Sequence, residues 1–304
     1  MLNYSPIILF VYKRPHHTLR TLESLRKNDL SEQSSLYIFS DGAKSGQDQA
    51  SVAEVRQVIR QKQWCKEVHI MERPTNFGLA RNIIEGVSQI IDRFGKVIVL
   101  EDDLVISPGF LRYMNQALDL YQEQPKVMQI SGHTPPIKLK KYLHDTLFYN
   151  KISSWGWATW ARAWQKLNLD TQYLLEQIEA TGQTAAFNAD GTYNFTEHLE
   201  ANLQGTINTW AIKWQASVFL SQGLCLYPRQ SLVRNIGCDN SGEHCGYLEL
   251  YLRQKMAKKI EVEPIPLKEL PQVRQALAQH YYQLTVAPTW FQQFKTKVRR
   301  VLRK

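Results

Sequence analysis

Four short apolar runs alternate with three amphipathic stretches across the first hundred residues, and this alternation restricts the fold more than any other feature. "PIILFVY" begins at residue 6, "SSLYIFS" at 34, "KEVHIME" at 66 and "KVIVLE" at 96. Each is rich in β-branched and aromatic residues and too short for a helix of its own, so each reads as a buried strand. Between the first two, Leu19, Leu22 and Leu25 recur at helical spacing. "SVAEVRQVIRQK" is helical in the same way. "LARNIIEGVSQIIDRFG" places Ile83, Ile84, Val87, Ile90 and Ile91 on one face and ends on Gly95, a natural C-cap. Strand, helix, strand in this order implies a mostly parallel sheet covered on both faces.

In such sheets ligands bind beyond the carboxyl ends of the strands. The polar residues gather there: Lys13 and Arg14 after the first run, Ser40 and Asp41 after the second, and Glu101, Asp102 and Asp103 after the fourth. Three consecutive carboxylates repel one another unless a cation sits among them. A hard divalent ion, Mn²⁺ or Mg²⁺, takes oxygen ligands and keeps places for water and phosphate. The plainer alternative is a solvated loop whose Asp103 favours the start of the helix after Ser107-Pro108-Gly109.

The second half is less regular. Aromatic residues are dense in "SSWGWATWARAW" (153–164) and "NTWAIKWQASVFLSQGLCLYP" (208–228). No repeat or linker appears before about residue 270. The expected organisation is one domain over 1–270, with a ligand-binding half to 115 and a second half from 116, followed by an extension over 271–304.

Charge narrows the partners. The 304 residues carry 37 Lys and Arg against 28 Asp and Glu, and six of the last ten residues are basic. A nucleic-acid binder would spread its charge more widely, so no nucleic-acid partner is expected. "PTWFQQFKTKVRRVLRK" (288–304), drawn as a helix, puts Trp290, Phe291, Phe294, Val298, Val301 and Leu302 on one stripe with Lys and Arg elsewhere. That pattern suits an anionic membrane surface; a helix packed on the body with a frayed basic end is the alternative. No run is long enough to span a membrane and no signal-peptide pattern is present, so the body reads as cytoplasmic, peripheral on the inner face of the membrane. The cysteines, at 65, 225, 238 and 245, form no CxxC pair and read as free thiols, with a zinc site around Cys238 and His244 the weaker alternative.

The segment "VIVLEDDLVISPGFLRYM" resembles the DxD-type motif of nucleotide-sugar glycosyltransferases with the GT-A fold, bacterial family 2-like enzymes and the related N-acetylglucosaminyltransferase I group above all. "ILFVYKRPHHTLRTLESL", "YIFSDGAK" and "NFGLARNIIEGV" match the same group in order and rough spacing, over about residues 5–115. The tryptophan-rich segments and "LVRNIGCDNSG" resemble its second half less specifically. The resemblance implies an α/β, Rossmann-like GT-A domain. It implies a metal-dependent transferase taking a nucleotide-diphosphate sugar, UDP-linked, to a glycan or lipid-linked acceptor in bacterial surface polysaccharide synthesis. Val11, Tyr12 and Arg14 would hold base and ribose, and Asp41 would hydrogen-bond the base. Asn76, Gly78 and Asn82 would border nucleoside and sugar, with Arg81 near phosphate. Asp103 would be the direct metal ligand, Asp102 would contact ribose or donor sugar, and Glu101 would support them. His244 would complete the metal shell.

An inverting transferase needs a carboxylate to deprotonate the acceptor hydroxyl. In the resembled group an Asp follows a tryptophan; here Ala211 follows Trp210, and no carboxylate lies in 201–238. The base is then Asp239, Glu243, Glu197 or Glu200, with Asp239 and Glu200 the assignments carried forward; or the enzyme is retaining; or the chain is an inactive, membrane-peripheral partner of a transferase complex. A sugar-nucleotide nucleotidyltransferase shares the fold class but needs a glycine-rich loop that "VYKRPHH" lacks. Aromatic faces stack on sugar rings, so Trp155 and Trp157 are assigned to the acceptor pocket and Trp160 and Trp164 to the core.

Overall fold

The computed structural model describes residues 4–139, 142, 144–242 and 247–286. Ten strands are present among them: β1 Ile7–Val11, β2 Ser35–Ser40, β3 Glu67–Glu72, β4 Lys96–Glu101, β5 Leu104–Ile106, β6 Val127–Ser131, β7 Thr146–Tyr149, β8 Trp157–Trp160, β9 Leu224–Pro228 and β10 Val233–Asn235. Eight of them form one sheet in the order β3-β2-β1-β4-β8-β6-β9-β7, and β10 pairs with β5. β1 to β4 are mutually parallel where they pair, and β8 is inserted antiparallel between β4 and β6. The result is the expected mixed α/β domain with a large central sheet.

All five β1 residues are buried because both faces of the sheet are covered. Side chains alternate along a strand. Ile7, Leu9 and Val11 point to one layer, where Leu22 and Leu25 of helix Pro15–Arg26 meet them. Ile8 and Phe10 point to the other, against Ile83, Val87 and Ile90 of helix Leu79–Phe94. That helix stops at Gly95, whose φ of 76° is the left-handed conformation a C-cap requires.

The chain leaves β1 outward to β2 and β3, then crosses back to β4 on the other side of β1. The strand order therefore reverses at the β1/β4 pair, and the crevice beyond their carboxyl ends lies at that switch point.

Helix Pro271–Val286 was expected to belong to an extension. Instead Val273 and Leu277 pack with Tyr149 and Tyr227 on the sheet, because β7 and β9 would otherwise expose an apolar face. The basic helix expected over 288–304 lies outside the described residues. Among the described residues no helix is long and apolar enough to cross a membrane. Cys65 and Cys225 are free and buried. Cys238 is disulfide-bonded, which corrects the free-thiol reading there and leaves that sulfur no thiolate for a metal.

Lys151, two residues past β7, is 1% exposed. Its ammonium donates to Asn150 Oδ1 at 2.7 Å and to the Ala186 carbonyl at 3.0 Å. Burial lowers its pKa to about 8, against the pull of Glu269. An unfolded lysine titrates near 10.4. Between these values the unfolded chain binds more protons, so stability rises with pH across that window. The unfolding free energy of wild type, relative to Lys151→Met, is expected to rise by about 2 kcal/mol from pH 7.5 to 9.5. Parallel curves in urea titrations at several pH values would contradict it.

Candidate active site

A cleft of about 570 Å³ opens at the carboxyl ends of β1 and β4. Its floor is built from the ends of β1, β2 and β4, which bring Val11, Tyr12, Arg14, Asp41, Glu101, Asp102 and Asp103 together, as the positions of the polar residues in the sequence suggested.

Asp41 is 4% exposed at the end of β2. Its Oδ1 accepts from the Gly42 and Phe77 amides at 2.9 and 2.8 Å. Its Oδ2 accepts from the Gly78 amide at 3.0 Å and Asn76 Nδ2 at 3.1 Å. Four bonds fill an ionised carboxylate. Asp41 therefore ties β2 to the 76–78 loop where both border the cleft. Gly78 takes a φ of 72°, a conformation glycine adopts without strain. Asn82 is buried beside the loop and accepts from Arg73 Nε at 3.2 Å. Tyr12 donates its hydroxyl to Asp48 Oδ2 at 3.0 Å and accepts from the Lys44 amide at 3.1 Å, closing the next loop over the same end of the cleft.

Arg14 follows β1 directly. One Nη2 bridges Asp102 Oδ1, in a short contact, and Asp103 Oδ2 at 2.8 Å. Its Nη1 is buried without a hydrogen-bond partner. Burial pushes the Glu101 carboxyl up to about 8, helped by Asp103 and Asp102 and opposed by Arg14. Burial also raises Asp102, again against Arg14. Three acids thus share one guanidinium where solvent is scarce, and their full ionisation would leave a negative excess that a divalent cation would neutralise. The all-oxygen donor set fits Mn²⁺ or Mg²⁺, with Asp103 and Asp102 as the residues to hold it. Among the described residues no three Asp, Glu, His or Cys side chains form a closed cage, so water and ligand oxygens would complete the shell. His244 lies outside the described residues.

The chain after β10 presses on this cluster. A Cβ at Gly237 would stand 2.1 Å from Asp103 Oδ2 and 2.8 Å from Arg14 Nη1. Gly237→Ala is therefore expected to push Asp103 off Arg14 and weaken metal-dependent nucleotide binding at least about tenfold, about 1.4 kcal/mol, with the fold retained. Calorimetric titration checks this; an unchanged Kd would show that Asp103 yields freely.

The far end of the cleft is aromatic. Trp155 lines it, with His133 at 4.5 Å and Tyr251 at 4.8 Å between ring centres. Burial holds His133 down to about 3, so its ring is neutral. Tyr193, Phe195, His198 and Tyr281 complete the wall. Ala211 and Ile212 also line the cleft, so the residues following Trp210 face it without a carboxylate.

Four assignments are corrected. Trp157 is fully buried, stacked on Trp210 at 5.0 Å and packed on Trp164 at 5.6 Å, because β8 is covered on both faces; it is core and not acceptor wall. Trp160 and Trp164 are core as expected. Arg81 lies outside the cleft lining, ion-paired with Glu85 at 2.6 Å and resting on Phe77 at 4.0 Å. Glu200 is exposed and outside the cleft lining. It stands roughly 200° around helix Phe195–Leu203 from His198, which faces the cleft. Asp239 is exposed, held by His17 Nε2 at 3.1 Å and Ser241 Oγ at 2.6 Å; Ser241 and Gly242 reach the cleft and Asp239 does not.

Residues 7–190 match glycosyl transferase family 2. The chain belongs to that family. This family 2 chain is 24% identical over 210 residues, 63% of its length, to an alpha-1,3-mannosyl-glycoprotein 2-beta-N-acetylglucosaminyltransferase of Arabidopsis thaliana. It spans about half, 47%, of that curated relative. Among solved structures it is similar to the mannosyltransferase PcManGT from Pyrobaculum calidifontis in complex with GDP-Man and Mn²⁺, at 9% identity and a TM-score of 0.41, covering 73% of this chain and 70% of that one. It is also similar to mouse xyloside xylosyltransferase 1 in its apo form, at 11% identity and a TM-score of 0.40, covering 71% and 81%. Both structural likenesses are loose.

Sequence reasoning passed over His133, Tyr193, His198, Tyr251 and Tyr281 in this family 2 chain. Apart from Tyr193 and His198, which are five residues apart, they meet only through long-range packing. The one available signal was the density of aromatic residues after position 150.

Proposed function

We propose that this chain is a metal-dependent glycosyltransferase that moves a sugar from a nucleotide-diphosphate donor, UDP-linked, to a glycan or lipid-linked acceptor, in building a bacterial surface polysaccharide at the inner face of the membrane. The observation that carries the reading is the cluster of three acids, Glu101, Asp102 and Asp103, gathered around Arg14 at the β1/β4 switch point. Family membership supports the reaction class.

A divalent cation bound there supplies charge to neutralise the departing diphosphate. Asp103 and Asp102 would hold it, with Glu101 at the end of β4. Arg14, just after β1, keeps both aspartates oriented. The Asp41 bracket fixes the 76–78 loop that borders the nucleoside. The aromatic far end excludes water and offers ring faces to the acceptor sugar.

A thermal-shift panel of UDP, GDP, CDP and ADP, each with and without Mn²⁺, tests the reading, because a ligand specific to the folded state raises apparent stability. UDP is expected to stabilise, and only with the metal. If no nucleotide shifts the melting curve, the inactive-partner reading takes its place; the carboxylate-free acceptor end among the described residues is the observation in its favour. The membrane part of the proposal rests on the basic sequence of 288–304. Liposome co-sedimentation with anionic vesicles, with and without that segment, tests it, and equal binding would remove it.

A further inference from the structure

The far end of the cleft needs a group to receive the acceptor's proton, and this inference rests on the transferase reading above. Among the described residues the cleft-lining carboxylates are Asp41, Glu101, Asp102 and Asp103, all at the strand-end floor, while Glu243 lies outside the described residues. Asp41 is saturated by four hydrogen bonds, and the other three are engaged with Arg14 and one another. On the opposite wall stand two histidines. His133 is 4% exposed, its Nε2 held by Gln254 Oε1 at 3.2 Å, and burial makes it too weak a base.

His198 differs. It is half-buried on helix Phe195–Leu203 and lines the cleft. Its Nε2 lies 3.1 Å from the Tyr193 hydroxyl, and Tyr193 also lines the cleft. Burial lowers its pKa, with Glu197 opposing, which favours the neutral ring. The pair is fixed from both sides. Tyr193 packs on Tyr281 at 5.6 Å and Phe195 at 4.6 Å. Asn202 Nδ2 donates to the His198 carbonyl at 2.7 Å, while its Oδ1 accepts from the Thr209 amide at 2.9 Å. One asparagine thus ties the turn carrying His198 to Thr209, next to Trp210 and Ala211 in the same wall.

We propose that Tyr193 and His198 form the proton-accepting relay of the transfer reaction, in place of a carboxylate base. The acceptor oxygen bonds to the anomeric carbon of the donor sugar as the bond from that carbon to the diphosphate oxygen breaks, the electron pair leaving with the diphosphate. The acceptor's proton passes to Tyr193 Oη, whose own proton moves to His198 Nε2, leaving an imidazolium that returns its proton to solvent after release. A single displacement of this kind inverts the anomeric configuration.

The test uses the full chain with Mn²⁺ and UDP-glucose, UDP-galactose and UDP-N-acetylglucosamine, following UDP release to water and to p-nitrophenyl glycosides. UDP binding is followed in parallel by thermal shift. Loss of a general base lowers turnover by about 10²- to 10⁴-fold. His198→Gln and Tyr193→Phe are each expected to lose at least about a hundredfold in turnover with the UDP–Mn²⁺ shift unchanged. The double variant is expected to be no slower than the worse single one, since the two act as one unit. The proposal is overturned if either variant keeps turnover within threefold (about 0.65 kcal/mol) of wild type, or if the losses multiply. It is overturned too if wild type binds UDP yet releases none from any donor, because a competent base beside a bound donor also activates water. Absence of any UDP shift in wild type is a different failure: it removes the transferase reading itself, and the relay with it.

Discussion

Asp103→Ala is expected to lower turnover by about 10³-fold, about 4 kcal/mol of transition-state stabilisation, and to abolish the metal-dependent shift by UDP. Asp103 reaches Arg14 at 2.8 Å and stands against Gly237, so its carboxylate is held from two sides. Removing it takes one charge from the cluster and frees Arg14 to turn wholly to Asp102. Asp103→Asn is the sharper variant. It keeps the size and an acceptor oxygen for Arg14 but removes the charge a cation needs. If the asparagine variant released UDP within tenfold of wild type, Asp103 would serve only its contact with Arg14 and the cation reading would fail.

Trp157→Ala is expected to have the largest effect on stability, about 3 to 5 kcal/mol for a fully buried tryptophan. Trp157 has no exposed surface and stacks on Trp210. Its indole N–H has no hydrogen-bond partner, so the substitution strands no polar group and its cost is burial and cavity alone. Urea unfolding should show the loss at an unchanged m-value. A loss below about 1 kcal/mol would mean that Trp164, Trp210 and Trp214, packed together around Trp157, close over the gap, against the behaviour of rigid cores. The same variant tests the corrected assignment: UDP binding by the surviving folded fraction should be normal.

The donor half was legible because parallel strands buried on both faces read as unbroken apolar runs, and their carboxyl ends are marked by the first polar residues. "KVIVLEDD" shows both features within eight residues. Gly95 was legible for a local reason, since a C-cap depends on one residue's φ. Arg81 was partly legible: it precedes Asn82 on a helix whose buried face runs through Ile83, Val87 and Ile90, so the two cannot share a direction. The choice between Trp155 and Trp157 was not legible. The two sit two residues apart, and the outcome depended on β8 entering the sheet between β4 and β6, a pairing no local pattern encodes. Asp239 failed for a similar reason, its partner His17 being 222 residues away. The relay of Tyr193 and His198 was invisible because a tyrosine and a histidine in a polar stretch carry no periodic mark.

The insertion of β8 beside β4 has a consequence for how such an enzyme can diversify. β4 has paired neighbours on both edges, β1 and β8, so the acid triplet is anchored at the centre of the sheet. The wall facing it is assembled from separate helices and loops beyond residue 130. Substitutions there can exchange one acceptor for another without altering the register of the strand that carries the acids. The chain is divided into a conservative floor and a replaceable wall, which makes the wall the place to graft a new acceptor preference.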